Sequence, residues 1–145
     1  MSKYLQGRFV CKHPEKYAGG QDPIYRSSWE FGLMQFFDNN PSVITWLSEG
    51  VFIPYLDPLT GLKKNYVPDF LVVYVDRTGR KNAELIEIKP SKETTLAEAK
   101  SARDRAFVAR NHAKWQAATA YCKRNGLTFR IVTEKNLFPG AGKKR

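Results

Sequence analysis

The chain is predicted to form one α/β domain in which a mixed β-sheet is flanked by helices, with its elements in the order α-β-β-β-α-β. Two runs rich in β-branched and aromatic residues, 66–75 and 83–89, are separated by the turn-forming residues 76–80 and predict a hairpin. Apolar residues at helical spacing precede this hairpin, and a longer helical pattern and one more strand follow it. A chain of 145 residues suffices for one domain with its own core.

The first helix is predicted to run from Ser27 to about Asp38. Ser27 and Glu30 have the spacing of a capping box, in which both side chains accept hydrogen bonds from backbone amides at the start of a helix. Asn-Asn-Pro at 39–41 ends the helix. The preceding residues 1–24 contain prolines and a Gly-Gly pair, and they are predicted to form an irregular N-terminal arm.

Three strands are predicted next, at 51–56, 66–75 and 83–89, and they are expected to pair as an antiparallel meander. Pro54 indicates an edge or a bulge in the first strand, because proline has no N–H to donate to a neighbouring strand. Pro90 ends the third strand.

The second helical pattern extends over residues 96–125, with Thr94 or Thr95 as its predicted cap. A break is expected near 111–112, and Gly126 is well placed to end the helix in a left-handed conformation.

The predicted domain spans residues 25–139 and closes with a strand at 127–133. Residues 140–145 are predicted to be a flexible basic tail. No run approaches the length of about 18 apolar residues that a membrane helix needs, and the start of the chain lacks the apolar region of a signal peptide. The two cysteines provide no disulfide framework and lack zinc-site spacing, so an intracellular protein is expected.

A net charge of +10, from 24 lysines and arginines against 14 acidic residues, predicts a nucleic-acid partner. Binding to phosphates releases counterions, so the affinity should fall steeply with salt. The second helical pattern is the candidate phosphate-facing surface, because it carries Arg103, Arg105, Arg110, Lys114, Lys123 and Arg124. Charge alone does not separate DNA from RNA, and a basic protein without such a partner is the alternative.

Three charged residues of the predicted hairpin form the candidate functional site. Asp69 belongs to one strand, whereas Glu87 and Lys89 belong to the other and share one face. Carboxylates are rarely placed in a small core without a partner or a metal. With the backbone carbonyl of Ile88, the two carboxylates would supply part of the oxygen shell that Mg²⁺ prefers, and Mn²⁺ is expected to substitute. Lys89 would orient the attacking water or stabilise developing charge.

Each of these residues also has a purely structural interpretation. Glu30 fits a helix cap, and Asp69 after Pro68 fits a turn or an edge strand. Glu87 and Lys89 could form a charge pair on a solvated face. Motif matches of this kind carry a real rate of false positives.

The pair Pro68-Asp69 followed by Glu87-Ile88-Lys89 resembles the motif of the PD-(D/E)XK nuclease superfamily. The order of segments along residues 5–139 resembles the head completion nucleases of T4-like tailed bacteriophages, and it is also similar to the catalytic domain of TnsA-type transposon endonucleases. The further segments that carry this resemblance are Tyr-Arg-Ser-Ser-Trp-Glu at 25–30, Ala-Lys-Trp-Gln-Ala-Ala at 113–118, Thr-Glu at 133–134 and Phe-Pro at 138–139.

The resemblance implies a restriction-endonuclease-like core and a role for each matched position. Glu30, Asp69 and Glu87 would be catalytic metal ligands, and Lys89 would be the catalytic lysine. Lys114 or Gln116 would be an accessory residue near the phosphate. The predicted DNA-binding residues are Arg26, Arg110, Lys114 and Gln116.

The expected function is that of a magnesium-dependent DNA endonuclease that hydrolyses phosphodiester bonds. The resemblance implies a role in phage head completion and virion assembly at packaged DNA ends, in the host cytoplasm or on the virion. Expected partners are DNA, phage portal or head proteins and a second copy in a homodimer, without a membrane. Two alternatives stay open: a structural DNA- or portal-binding head-completion protein with little turnover, and a cutting subunit of a transposase or restriction-like system.

Overall fold

Eight strands and three helices form the structure within residues 6–137, the part of the chain that this computed structural model describes, apart from the side chain of Leu137. In chain order they are β1 (Gly7–Arg8), β2 (Ile24–Tyr25), α1 (Ser28–Asn39), β3 (Val43–Ser48), β4 (Ile53–Leu56), β5 (Lys63–Tyr66), β6 (Phe70–Val75), β7 (Lys81–Ile88), α2 (Ala102–Asn125), β8 (Thr128–Val132) and α3 (Glu134–Leu137). Short 3-10 turns occupy Pro14–Lys16 and Ser91–Glu93.

The main sheet has the strand order β3-β6-β7-β8. Its first three strands are antiparallel neighbours, and β8 pairs in parallel with β7 after the crossover through α2. Two smaller antiparallel pairs, β1-β2 and β4-β5, lie outside this sheet. The mixed sheet and its flanking helices confirm the predicted α/β class.

The two faces of the main sheet carry two separate hydrophobic cores. On one face Ile86 packs with Met34 and Phe37 of α1, and on the other Leu85 packs with Trp115 of α2. Adjacent residues of β7 reach different cores because side chains alternate between the faces of a strand. The predicted placement of one helix on each side of the sheet is therefore confirmed.

Strand β3 supplies the centre of the α1-side core, and no strand was predicted there. Trp46 is 1% exposed and its ring lies between those of Phe9, Tyr17, Phe37 and Phe70, with centroid distances of 4.6–6.2 Å. The β-branched run before Trp46 was a usable signal for a strand.

The predicted meander of three strands is wrong in two respects. The run 66–75 is not one strand, because β5 ends at Tyr66 and β6 begins at Phe70. Pro68 lies between them, and proline cannot donate to a ladder. In consequence the strand predicted at 51–56 does not join the main sheet, and as β4 it pairs with β5 in a separate hairpin.

The boundaries of the two long helices were predicted unequally well. Ser27 caps α1 as expected, since its Oγ accepts a hydrogen bond from the Glu30 amide at 3.1 Å. Gly126 ends α2 with φ of 71°, which confirms its predicted role. The cap of α2 is Ser101 rather than Thr94 or Thr95, and α2 is continuous where a break was predicted.

Asn111, where the break was predicted, is 4% exposed and donates from Nδ2 to the carbonyl oxygen of Glu93 at 3.2 Å. This polar residue therefore anchors the connection before α2 instead of interrupting the helix.

The N-terminal segment, predicted to be irregular, contains β1 and a 3-10 turn within residues 6–24. Phe9 is 7% exposed and belongs to the α1-side core. The predicted tail, 140–145, lies outside the described residues. Within residues 6–137, none of the helices combines the length and the apolar character that crossing a bilayer requires.

Candidate active site

Asp69 and Glu87 lie on neighbouring strands at one end of the main sheet. The register pairs Phe70 of β6 with Ile86 of β7, so Asp69 and Glu87 occupy the next position outward on each strand. The Asp69 carboxylate is held across this end, because its Oδ2 accepts a hydrogen bond from the Ile88 amide at 2.7 Å. The predicted hairpin thus brings the two carboxylates together on the face that packs against α2.

Glu87 is buried and held by two neighbours. Only 5% of the residue is exposed. Its Oε1 accepts a hydrogen bond from the Tyr66 hydroxyl at 2.8 Å, and its Oε2 lies 3.7 Å from Nζ of Lys89. Both carboxylate oxygens are thereby oriented before any ligand arrives.

Burial and mutual repulsion change the pKa values of this carboxylate pair. Desolvation, followed by the charge of Glu87, raises the pKa of Asp69 well above its usual value. Desolvation also raises the pKa of Glu87, although the Lys89 charge and the Tyr66 hydrogen bond act in the opposite direction. The site therefore concentrates negative charge that is incompletely compensated within the protein, which favours a bound cation.

Two lysines flank the carboxylates, as predicted for Lys89 and Lys114. Nζ of Lys114 lies 5.9 and 5.6 Å from the ring centroids of Tyr55 and Tyr66, a distance at which cation–π attraction acts. Burial, followed by the charge of Lys89, lowers the pKa of Lys114, and the Lys114 charge in turn lowers that of Glu87. Lys114, in the middle of α2, therefore places a positive charge near the carboxylate pair.

Glu30 combines a structural task with an electrostatic effect on the site. Its Oε1 accepts a hydrogen bond from the Arg26 amide at 2.7 Å. In a capping box the donor would instead be the amide of the next residue, Ser27. The charge of Glu30 also raises the pKa of Asp69. Burial, and then the charge of Glu49, raises the pKa of Glu30 itself.

The donor set fits a magnesium ion that is bound by few protein ligands. Among residues 6–137, no three or more His, Cys, Asp or Glu side chains form a group that could hold a metal. Mg²⁺ is commonly bound through one or two carboxylates together with waters and substrate phosphates, and Asp69 with Glu87 matches that mode. The Ile88 amide points at Asp69, and the carbonyl of a strand residue faces the same side as its amide.

Residues 40–134 match the family described as the TnsA-like endonuclease N-terminal domain. The chain belongs to this family. It is also 36% identical over 142 residues to the head completion nuclease of Enterobacteria phage T4, an alignment that covers 90% of this chain and 92% of that protein. The predicted resemblance to TnsA-type endonucleases and to head completion nucleases is confirmed.

The TnsA-like match covers β3 to β8 and therefore includes Asp69, Glu87, Lys89 and Lys114. It begins after α1, so Glu30 lies outside it. The residues that converge at the end of the main sheet are thus those within the part of the chain that defines this endonuclease family.

Gln116 lies away from the carboxylates of the candidate site. It is exposed, and it lines a cavity of about 510 Å³ on α2 together with His112 and Thr119. Two residues along an α-helix correspond to a rotation of about 200°. Lys114 and Gln116 consequently cannot face the same site, and the structure brings only Lys114 to it.

The two arginines predicted to bind DNA are engaged in ion pairs. Arg26 Nη1 lies 2.7 Å from Oε2 of Glu49 on the surface. Arg110 holds the fully buried Asp57, with Nε 3.2 Å from both carboxylate oxygens. Arg110 therefore fixes the position of the β4-β5 hairpin, a structural task that the sequence did not reveal.

Tyr66 contacts the candidate site, and it was not predicted as a site residue from the sequence. It is 3% exposed, and burial and the Glu87 charge raise its pKa, so that the hydroxyl remains a proton donor to Glu87. Its position three residues before Asp69 could have identified it, since both flank the same Val-Pro pair.

A cavity of about 440 Å³ lies on the opposite, α1-facing side of the sheet. Its lining includes Phe36, Tyr74, Glu84 and Arg130, but neither carboxylate of the candidate site. The candidate site at the strand ends is therefore separate from this cavity.

Proposed function

We propose that the protein is a magnesium-dependent DNA endonuclease of the PD-(D/E)XK type that hydrolyses phosphodiester bonds during phage head completion. The observation that carries this proposal is the pair of buried carboxylates, Asp69 and Glu87, at adjacent strand ends beside Lys89. Membership of an endonuclease family supports the reaction class. The name of the phage T4 relative supports the stage of action.

Asp69, Glu87 and the carbonyl of Ile88 would hold the magnesium ion, with Glu30 as a further carboxylate near Asp69. When bound, the ion would lower the pKa of the attacking water and neutralise charge on the phosphate. Tyr66 keeps Glu87 in one orientation through its hydroxyl, 2.8 Å from Oε1. A fixed ligand orientation is what second-shell hydrogen bonds supply in metal sites.

Lys89 and Lys114 would act on the phosphate and on the charge that develops in the transition state. Lys89 extends from the end of β7 and is 25% exposed at its side chain, so it reaches both Glu87 and a ligand outside the protein. Lys114 approaches from α2 across the rings of Tyr55 and Tyr66. Fixed cations in a partly buried site stabilise such charge more strongly than they would in water.

DNA is the proposed substrate, and its ends in the packaged head are the proposed place of action. The net charge of +10 favours a polyanionic substrate. Phage portal or head proteins are the proposed partners, and host cytoplasm or the assembling virion the proposed location. A double-strand cut would require a homodimer or two sequential nicks, because each chain contains one such carboxylate pair among its described residues.

Removal of divalent ions should abolish the activity. Supercoiled plasmid should be nicked or linearised with Mg²⁺, left intact in EDTA, and cut again after Mg²⁺ or Mn²⁺ is restored. Lys89→Met should lower the rate by about 100-fold, because it removes a cation next to the reacting phosphate. Lys92→Met, at an exposed lysine three residues away, serves as the control and should cut at the rate of the unmodified protein.

Cleavage that persists in EDTA, or equal rates for the Lys89 and Lys92 variants, would refute the proposed function. Salt-dependent DNA binding without cleavage under any metal would instead assign the protein to the structural, DNA-binding alternative.

Tyr66→Phe should raise the Mg²⁺ concentration that gives half-maximal cleavage by about 10-fold to 100-fold, since loss of a hydrogen bond to a metal ligand has this typical effect. The matched control is Tyr74→Phe. The Tyr74 hydroxyl also donates to a glutamate, Oε2 of Glu84 at 2.6 Å, but on the face that packs against α1. Magnesium titrations of plasmid cleavage measure both variants, and a Tyr74 effect as large as that of Tyr66 would contradict the positioning role.

A further inference from the structure

The hairpin of β4 and β5 exposes an unusual amount of apolar surface beside the carboxylates. Leu56 is 62% exposed, Leu59 47% and Leu62 60%, and together these three residues are called the hairpin tip below. Single exposed leucines are common, whereas a contiguous group of them marks a surface that contacts something else. Packing in the core of the protein therefore does not account for the apolar side chains of the hairpin tip.

The hairpin tip is held in a fixed conformation rather than left as a loose loop. Oδ1 of Asp57 accepts a hydrogen bond from the Leu59 amide at 3.0 Å, and the Asp57 carbonyl accepts one from Gly61 at 2.8 Å. Arg110 from α2 and Lys64 from β5 bind the same carboxylate at 3.2 and 3.0 Å. A buried ion cluster thus fixes a turn whose leucines point into solvent.

The charge around the tip suits a polyanion. Asp57 is the only acidic residue between 50 and 68, and it is fully buried within its ion cluster. Lys63 is exposed and lies opposite Leu56 in the hairpin register, and Lys64 remains 41% exposed at its side chain. The hairpin consequently presents apolar and cationic groups without an exposed carboxylate, the combination that proteins use when they insert side chains between DNA base steps.

The hairpin also leads directly into the candidate active site. Tyr66 at the end of β5 donates to Glu87, and Tyr55 of β4 lies below Lys114. Three residues of strand separate Tyr66 from Lys63, the neighbour of Leu62 in the hairpin tip, which corresponds to about 10 Å along the hairpin. Tyr66 and Lys89 both contact Glu87, and a DNA strand advances about 3.4 Å per nucleotide. A duplex whose scissile phosphate lies beside Glu87 would therefore meet the base of the hairpin tip about three base steps away.

We propose that the hairpin tip is a wedge that opens the duplex about three base steps from the scissile phosphate, so that the preferred substrate is DNA that is already unpaired or unstacked there. This inference rests on the proposed function, since it places the substrate at the same carboxylates. Mismatched, gapped or fraying DNA near an end supplies such a step. Continuous duplex must be opened by the protein.

The test compares cleavage and base unstacking in the full-length protein and in Leu59→Ser/Leu62→Ser. The substrates are a continuous duplex and the same duplex with a two-base mismatch three steps from the cut. Val10→Ser, at a residue that is 65% exposed in the N-terminal segment, controls for loss of a surface hydrophobic group. The fluorescent base 2-aminopurine, placed three or ten steps from the cut, reports unstacking in Ca²⁺ without added Mg²⁺.

The unmodified protein should cut the mismatched duplex faster than the continuous one and increase fluorescence at three steps but not at ten. The tip variant should lose about 10-fold on the continuous duplex, should retain its rate on the mismatched duplex within about 3-fold, and should lose the fluorescence change. The Val10 variant should behave as the unmodified protein in every assay.

Equal losses on both substrates, or no fluorescence change with the unmodified protein, would overturn the wedge. Light scattering that shows self-association through the tip, without unstacking, would overturn it as well and assign the tip to a protein interface. Leu62→Gln alone provides a milder variant in case the double substitution impairs folding, which circular dichroism reports. Failure of the proposed function gives a different pattern, because all substrates then remain uncut with Mg²⁺ even for the unmodified protein.

Discussion

Asp69→Asn should abolish metal-dependent cleavage and, at the same time, make the metal-free protein more stable. The loss of cleavage should be on the order of 10³-fold, because a charged ligand of the proposed magnesium ion is removed. Asparagine keeps an oxygen that can accept the hydrogen bond from the Ile88 amide, which is 2.7 Å from Asp69 Oδ2. The local structure should therefore survive the substitution.

The gain in stability follows from the direction of the pKa shift. Burial and the Glu87 charge raise the pKa of Asp69 in the folded protein above its unfolded value. The folded state thus binds the proton more tightly, and its stability falls as pH rises from the unfolded pKa through the folded pKa. Asparagine carries no charge at any pH, so it removes the cost of ionising a carboxylate in this buried position.

Thermal unfolding in metal-free buffer at pH 7 should show a Tm about 3 °C higher for Asp69→Asn, the shift that a domain of this size gives for roughly 1 kcal/mol. The difference should shrink as the pH is lowered, and added Mg²⁺ should stabilise the unmodified protein but not the variant. A Tm that is unchanged or lower in metal-free buffer would contradict the strain assigned to this carboxylate.

Asp76→Asn is the control with the opposite sign. Hydrogen bonds from Thr78 and Asn82 lower the pKa of Asp76 to about 2, so its stabilising effect is present at neutral pH and disappears as pH falls through that value. The Asp76 variant should therefore have a lower Tm at pH 7 and cut DNA at the normal rate. The two substitutions separate a functional carboxylate from a structural one, which flank the two ends of β6.

Trp46→Ala should lower the free energy of unfolding by about 3–5 kcal/mol, the usual cost of deleting a buried aromatic side chain. Trp46 is 1% exposed and contacts the rings of Phe9, Tyr17, Phe37 and Phe70. Such a loss is a large part of the 5–15 kcal/mol that stabilises a typical domain. Urea unfolding monitored by far-UV circular dichroism, rather than by tryptophan fluorescence, measures the change in the unfolding midpoint.

Two further substitutions on β3 provide comparisons for the stability loss of Trp46→Ala. Ile44→Ala, at a neighbour that is 42% exposed, should cost about 1 kcal/mol or less. Trp46→Phe should cost less than Trp46→Ala, because it keeps an aromatic ring, and among residues 6–137 the Trp46 indole N–H has no hydrogen-bond acceptor to lose. Similar midpoints for Trp46→Ala and Ile44→Ala would show that β3 is not the centre of the α1-side core.

The features that sequence predicted well are those fixed by short-range physics. Ser27 and Gly126 were assigned correctly because helix caps depend on a few adjacent residues. The β6-β7 hairpin was recognised from two runs rich in β-branched and aromatic residues and from the turn between them. Because side chains alternate between the faces of a strand, Glu87 and Lys89 were placed on one face, and their Oε2 and Nζ atoms lie 3.7 Å apart.

The features that sequence missed depend on which distant segments pack together. The place of β3 in the main sheet and the pairing of β4 with β5 could not be deduced from local propensity, since pairing is decided by contacts between segments. Gln116 and Lys114 were equivalent candidates in the sequence until the orientation of α2 was known. The contact of Arg110 with the buried Asp57 joins residues 53 positions apart, and no local pattern indicates it.

The sequence by itself determined the α/β class, the start of α1, the end of α2 and the strand pair that carries Asp69, Glu87 and Lys89, because periodicity and turn chemistry act over a few residues. Only the tertiary structure decided that Tyr66 and Lys114 join them and that the leucines of the β4-β5 hairpin remain exposed beside them. Those positions are set by the packing of α2 and the hairpin against the sheet, where residues separated by tens of positions meet. The free energy of that packing, rather than any local preference, fixes which side chains surround the two carboxylates.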